Sequence, residues 1–345
     1  METKLLEPTE KNIAIAAEII RKGGIVAFPT ETVYGLGADA MNERAVTSVY
    51  AAKGRPSDNP LIVHIADAEE LERLTPSVTP LMRRLAAAFW PGPMTMVVRR
   101  NPQIPDATTG GLDTVAVRLP DNAATRALIR ASGCPLVGPS ANLSGKPSPT
   151  KARHVVDDLG GRIEAVLMGE DCRVGIESTV VDVSGEGLTI LRPGIITAEQ
   201  LAAASGLDVK IDAALLMDRP RATSSPDDLS EGYDEDFKPK SPGMKYRHYA
   251  PSAEMIVVEG EEEAVRAEIE KIKAENEARG RKVGVILFGQ NDFAEAAHEL
   301  FDRLREMDKL NVDLILAGAL PKSNGVGFAV MNRMLKSAGH NVIKV

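Results

Sequence analysis

Ile13-Ala14-Ile15-Ala16-Ala17-Glu18-Ile19-Ile20-Arg21-Lys22-Gly23-Gly24-Ile25-Val26-Ala27-Phe28 couples a helical stripe to a strand through a glycine pair, and this unit sets the class of the fold. Ile13, Ala16, Ala17 and Ile20 recur at helical spacing, the glycines stop the helix, and the apolar run 25–28 has the length of a buried strand. Strand-like runs recur at 61–65, 94–98, 115–119 and 178–183, with amphipathic segments between them. In one such segment Val46, Val49, Tyr50 and Lys53 share a helical face ahead of Gly54, which predicts a helix ending at Lys53. The N-terminal half therefore reads as an α/β sheet domain.

A chain of 345 residues exceeds the size at which one core keeps growing, so two domains are expected. Beyond residue 253 the pattern runs strand (254–258), helix (261–278), strand (283–288), helix (292–307), strand (312–316), then a last helix and short strand. Parallel strands with helical crossovers make this a small doubly wound unit. The boundaries predicted are 1–205 for the first domain, 206–252 for a linker or lid, and 253–345 for the second. Residues 222–237 carry six acidic side chains and no basic one, set among Ser, Pro and Gly, the composition of a linker. Lys238 to Pro251, which follows, is basic and aromatic, more than a plain spacer needs.

Composition excludes several classes. Apolar residues at 43% and charged ones at 26% rule out a wholly disordered, collagenous or coiled-coil chain. A net charge of −8 argues against nucleic-acid binding driven by bulk charge. No apolar stretch reaches the length of a membrane span and the acidic start lacks an export signal, so a soluble cytoplasmic protein is expected. Cys134 and Cys172 stand alone, which indicates neither a zinc site nor a disulfide framework. The phosphate-loop, HExxH and GxSxG motifs are all missing. Gly35-Leu36-Gly37-Ala38-Asp39-Ala40 matches a dinucleotide fingerprint in letters, but it lies too far past the 25–28 strand and lacks the acid that follows such a loop.

Other clusters point to chemistry. In Lys53-Gly54-Arg55-Pro56-Ser57-Asp58-Asn59-Pro60 two cations leave a helix end and enter a proline-punctuated loop. A planar Arg fork beside a movable Lys charge suits a polyphosphate, although a solvated helix end would look the same. Period two puts Thr114, Ala116 and Arg118 on one strand face, and a buried arginine requires an anion. His64 shares a face with Ile62, where an ordinary core histidine is the alternative. The loop Gly138 to Thr150 is dense in hydroxyl, amide and glycine groups that can wrap a nucleotide. Thr30-Glu31-Thr32, Gly175-Ile176-Glu177-Ser178-Thr179 and Leu191-Arg192-Pro193-Gly194 place further polar groups at strand ends and turns.

Taken in order, PTETVYGLGAD, KGRPSDNPL, VAVRLP, GPSANLSGKPSPT, GIESTVVDV, ILRPG and SPGMKYRHYAP closely resemble the threonylcarbamoyl-AMP synthase family, in its longer form. The resemblance implies a YrdC-like twisted mixed sheet with helices, followed by a Rossmann-like C-terminal domain. It implies a nucleotidyltransferase that condenses L-threonine, bicarbonate or CO2 and ATP to threonylcarbamoyl-AMP and pyrophosphate. The product feeds threonylcarbamoyladenosine formation in tRNA through a downstream transferase, so tRNA and that transferase are implied partners. Block by block, Lys53 and Arg55 match the cationic catalytic motif. Arg55, Asn59, Thr114, Ser140, Asn142, Ser148 and Arg192 match the ATP side, to which Tyr246 is added as a lid residue. Thr32, His64, Arg118, Gly138 and Ser178 match the threonine side. Mg2+ is implied with the ATP phosphates, held by the nucleotide rather than by a protein carboxylate cage. Carbamate is unstable in water, so the stretch 241–249 is expected to close over the site. The rival readings are an RNA-binding module, a carbamoyl-adenylate enzyme of hydrogenase maturation and a dehydrogenase. Net charge disfavours the first, the missing CxxC pairs the second, and a C-terminal unit without a Gly-rich fingerprint the third.

Overall fold

The computed structural model describes residues 1–216, 248–321 and 325–345. The acidic run 222–237 and Tyr246 lie outside the described residues, as does all but the last two positions of the 241–249 stretch. The helix that opens the chain spans Glu10–Arg21, with the Thr9 hydroxyl accepting from the Asn12 backbone amide at its start. The next long one, Glu43–Lys53, is capped by Asn42 and stopped by Gly54 at φ 63°, so the helix ends at Lys53 as its spacing predicts.

Among the described residues, eleven strands form one mixed sheet. Their order is Lys4–Leu6, Ala165–Leu167, Val26–Phe28, Gly35–Asp39, Leu136–Val137, Ile62–His64, Thr114–Arg118, Met94–Arg99, Thr179–Asp182, Leu188–Arg192 and Val209–Ile211. One pairing matters most for the site: Ile62–His64 runs parallel to Thr114–Arg118 with His64 opposite Arg118. Residues opposite each other point to the same face, so register alone sets the imidazole beside the guanidinium. A second sheet, entirely parallel, has the order Val283–Ile286, Leu314–Gly318, Glu254–Glu259, Val342–Lys344. Helices Glu262–Glu277, Phe293–Leu310 and Val326–Ser337 connect and cover it, as a doubly wound pattern requires.

The two sheets share apolar packing. Val33, Val174 and Ile176 from the N-terminal part join Phe301, Ala297, Val330 and Tyr249 in one buried cluster. At Gly175, φ +84°, a Cβ would lie 2.4 Å from backbone atoms of Ala297 and His298, so only glycine allows the main chain to approach the helix Phe293–Leu310 this closely. Ion pairs cross the same boundary. Arg305, buried, donates to the Pro147 carbonyl at 2.6 Å and to Asp158 at 2.7 Å.

Gly35 and Gly37 lie in a strand antiparallel to Val26–Phe28, not in a phosphate-binding loop. Their missing side chains make room for the Phe28 ring: a Cβ on Gly35 would fall 2.6 Å from it and one on Gly37 2.9 Å. The glycine spacing that imitates a dinucleotide fingerprint is a packing requirement. Gly37→Ala is accordingly expected to destabilise the fold by about 1–3 kcal/mol, the usual cost of overpacking. Urea unfolding checks this, and a midpoint equal to that of the unmodified protein would contradict it.

Candidate active site

Arg118 is 4% exposed, so its charge is compensated inside the protein. The Glu31 carboxylate lies 2.8 Å from Nη2, while Nη1 donates to the Thr32 hydroxyl at 2.8 Å and Nε to the Gly92 carbonyl at 3.3 Å. The anion that a buried arginine requires is thus present within the chain. Neither Glu31 oxygen nor Arg118 Nη2 takes part in a well-aligned hydrogen bond, which leaves directional capacity at both groups.

His64 stands next to Arg118 and its Nδ1 is buried without a partner. Burial pushes its pKa down to about 3, with the Arg118 charge adding to the effect. The ring is therefore neutral at physiological pH, with one nitrogen an acceptor and the other a donor. It meets Phe28 edge-on, with ring centres 5.5 Å apart. Gly138 makes room for it, since a Cβ there would lie 2.5 Å from Nδ1.

Arg192 anchors from the other side. Its Nε donates to the Ser178 carbonyl at 3.1 Å and Nη2 to the Ser178 hydroxyl at 3.2 Å, which is in turn 2.7 Å from the Thr95 hydroxyl. Arg55 reaches the Pro60 carbonyl at 3.3 Å, and its Nε has no partner. Burial lowers the pKa of both arginines from the free value. Arg55, His64, Arg118 and Arg192 all face one cleft, with the Gly138 and Ser140 loop and Glu177 also on its wall. A concave site with convergent polar groups is the usual form of a small-molecule site.

The remaining residues singled out in the sequence stand behind the wall or away from it. Thr32, Ser178 and Ser148 stand one contact back from the wall, bonded to Arg118, Arg192 and Glu177 respectively. Lys53 does not line the cleft. Its ammonium is buried under the 138–150 loop, donating to the carbonyls of Ser140 and of Asn142, the latter at 2.6 Å. Burial, followed by the nearby Arg55, pushes its pKa well below the ordinary value. Asn142 bonds within its own loop, to the Leu143 and Lys146 carbonyls. Asn59 and Thr114 are buried off the wall, and both amide atoms of Asn59 are without partners.

Three polar wall residues had no individual role in the sequence reading: Glu177, and His248 and Tyr249, which entered only as the end of the stretch expected to close over the site. Glu177 sat in a quoted motif, yet nothing in its spacing distinguishes a carboxylate of the cleft from a surface one. Tyr249, at φ 66°, stacks on Phe301 with centres 5.1 Å apart, so the end of the connecting segment is pinned between the cleft and the second sheet. Burial raises its pKa to about 12. Among the described residues no group of three or more His, Cys, Asp or Glu side chains is placed to hold a metal ion, and Glu31 and Glu177 are already engaged by arginines. The cleft thus does not fit a protein-held divalent cation. No helix among the described residues is long and apolar enough to cross a membrane.

Known proteins match this chain along its length. A family described as telomere recombination matches residues 18–194, and a family described as threonylcarbamoyl-AMP synthase, C-terminal domain, matches residues 196–339. The threonylcarbamoyl-AMP synthase of Pyrococcus abyssi is 46% identical, covering 97% of this chain and 96% of its own. That of Bacillus subtilis is 44% identical over 99% and 97%. The crystal structure of P. abyssi Sua5 complexed with L-threonine superposes with a TM-score of 0.89 at 44% identity, covering 100% of both chains. The chain belongs to the threonylcarbamoyl-AMP synthase family.

Proposed function

We infer that this protein is an L-threonylcarbamoyladenylate synthase, a transferase that condenses L-threonine, bicarbonate or CO2 and ATP and supplies the activated group for tRNA modification. The observation that carries the reading is the convergence of Arg55, His64, Arg118 and Arg192 on one cleft in a chain related over its full length to enzymes of that name. The residues 1–205 are read as the catalytic domain, 206–252 as the connection and 253–345 as the second domain. A cytoplasmic location, with tRNA and a downstream transferase as partners, follows from the reaction.

The chemistry needs no protein nucleophile. The amine nitrogen of threonine bonds to the carbon of CO2 and loses a proton, giving a carbamate. Starting from bicarbonate, the same step expels water. A carbamate oxygen then attacks the α-phosphorus of ATP, and the bond to the β-phosphate oxygen breaks to release pyrophosphate. The protein's task is to hold two anionic partners in line and to oppose the charge that develops on phosphate.

On the threonine side, Arg118 takes the amino-acid carboxylate with Thr32 behind it, Ser178 orients Arg192 at the border with the nucleotide side, and neutral His64 exchanges a hydrogen bond with the bound amino acid over Gly138. On the nucleotide side, Arg55 and Arg192 face the phosphates with Ser140 on the same wall, while Asn142, Ser148, Asn59 and Thr114 support that wall from behind. Lys53 acts through the loop that its ammonium ties down, keeping Ser140 and Asn142 in place. Mg2+ would be held by the ATP phosphates, whose charge it would help neutralise, and no step above runs through it.

Pyrophosphate release should require ATP, L-threonine and bicarbonate together, with L-serine a much poorer substrate. Release that ignores threonine would contradict the assignment. Arg118→Ala should raise the KM for threonine by roughly 10- to 100-fold, the worth of a charge-assisted hydrogen bond, with a smaller change in the KM for ATP. Lys53→Ala should chiefly lower kcat, and the reverse pattern would invert the roles of the two residues. Because burial holds His64 near 3, its ring signals in a histidine-labelled NMR sample should not move between pH 5 and 8. A titration near the ordinary value would remove the neutral imidazole from the scheme.

A further inference from the structure

Glu177 places a negative charge on the wall of a cleft read as a site for ATP, which by itself would oppose nucleotide binding. It is held from outside the N-terminal sheet. Arg333, on the helix Val326–Ser337 of the C-terminal unit and 0% exposed, donates Nε to Glu177 Oε2 at 3.1 Å and Nη2 to the Glu177 carbonyl at 3.3 Å. Its Nη1 bonds the Pro193 and Ala329 carbonyls, the former next to Arg192 in sequence. The other carboxylate oxygen of Glu177 accepts from the Ser148 hydroxyl at 2.6 Å.

Arg192 is the alternative partner for that carboxylate. The two attract each other: Arg192 is among the charges that hold the Glu177 pKa below its free value. With Arg333 engaged, the bonds from Arg192 go instead to Ser178. The segment carrying both Glu177 and Ser178 is further fixed by the close approach at Gly175 and by Ile176 in the shared apolar cluster. Three contacts from the C-terminal unit therefore converge on residues 175–177.

We propose that Arg333 is a positioning residue for the nucleotide site, holding Glu177 in its bond with Ser148 and cancelling its charge, so that Arg192 stays available to phosphate only while the C-terminal unit is docked. This rests on the reading of the cleft as an ATP site. It gives the second sheet a defined part in the reaction: electrostatic completion of a cleft whose substrate-facing groups lie in the N-terminal part.

The test measures ATP and L-threonine binding by calorimetry on the full chain, with pyrophosphate release alongside. Arg333→Met should weaken ATP binding tenfold or more and change threonine binding less than threefold. Adding Glu177→Gln to Arg333→Met removes the uncompensated anion and should bring the ATP Kd back to within threefold of Glu177→Gln alone. Arg333→Lys keeps the charge and should lose less than Arg333→Met. An ATP Kd for Arg333→Met within twofold of the unmodified protein would overturn the proposal. So would a double variant as weak as Arg333→Met alone, since that is the signature of lost packing. If Arg333→Met does not fold, as judged by circular dichroism, the decision passes to Arg333→Lys with and without Glu177→Gln: partial loss rescued by the second change supports the proposal, and no rescue ends it. Unmodified protein that releases pyrophosphate with threonine while these variants behave like it would refute the role of Arg333 and leave the synthase reading intact.

Discussion

Holding several guanidinium groups in a cleft largely withdrawn from water is the constraint on which the rest of this structure depends. Buried cations are tolerated only when oxygens of the protein surround them. Each arginine here has such an anchor: Glu31 and Thr32 for Arg118, the Ser178 carbonyl and hydroxyl for Arg192, the Pro60 carbonyl for Arg55. The anchors come from strand ends and turns of the N-terminal part, so the sheet must be in register before the cleft exists. Once it does, positive potential is fixed in a low-dielectric space, the condition under which charge can stabilise an anion with little reorganisation.

The same constraint explains the carboxylates. Glu31 and Glu177 look out of place beside an anionic ligand, yet each answers an arginine. They balance the cationic charge of the cleft. Their arrangement differs in origin: Glu31 lies four residues from Gly35 on the N-terminal sheet, whereas Glu177 is fixed by a helix more than 140 residues further along the chain. Folding of the N-terminal part builds one half of the charge pattern, and docking of the C-terminal unit builds the other.

Much of this was legible in the sequence, and the limits are physical. The helix over Ile13, Ala16, Ala17 and Ile20, the helix end at Lys53 and the parallel C-terminal unit followed from periodicity and caps. The shared face of His64 and Arg118 followed from period two, but their adjacency needed the strand register, which is a property of two strands. Strands such as Gly35–Asp39 and Leu188–Arg192 were hidden because glycine and polar residues interrupt their apolar pattern. Period two gave buried Arg118 the need for an anion without naming one inside the chain. Glu31 supplies one, and no spacing rule pairs residues so far apart. Lys53 was read as facing a ligand, whereas its ammonium lies beneath a loop that the sequence could not fold over it. The role of Arg333 was invisible for the same reason, since only tertiary packing brings it to Glu177.

The most direct test of the account is a crystal structure with L-threonine and a non-hydrolysable ATP analogue bound together. The account predicts the threonine carboxylate within hydrogen-bond distance, roughly 3 Å, of Arg118, with the phosphates against Arg55 and Arg192. Both ligands bound elsewhere, with these three guanidinium groups touching neither, would contradict it.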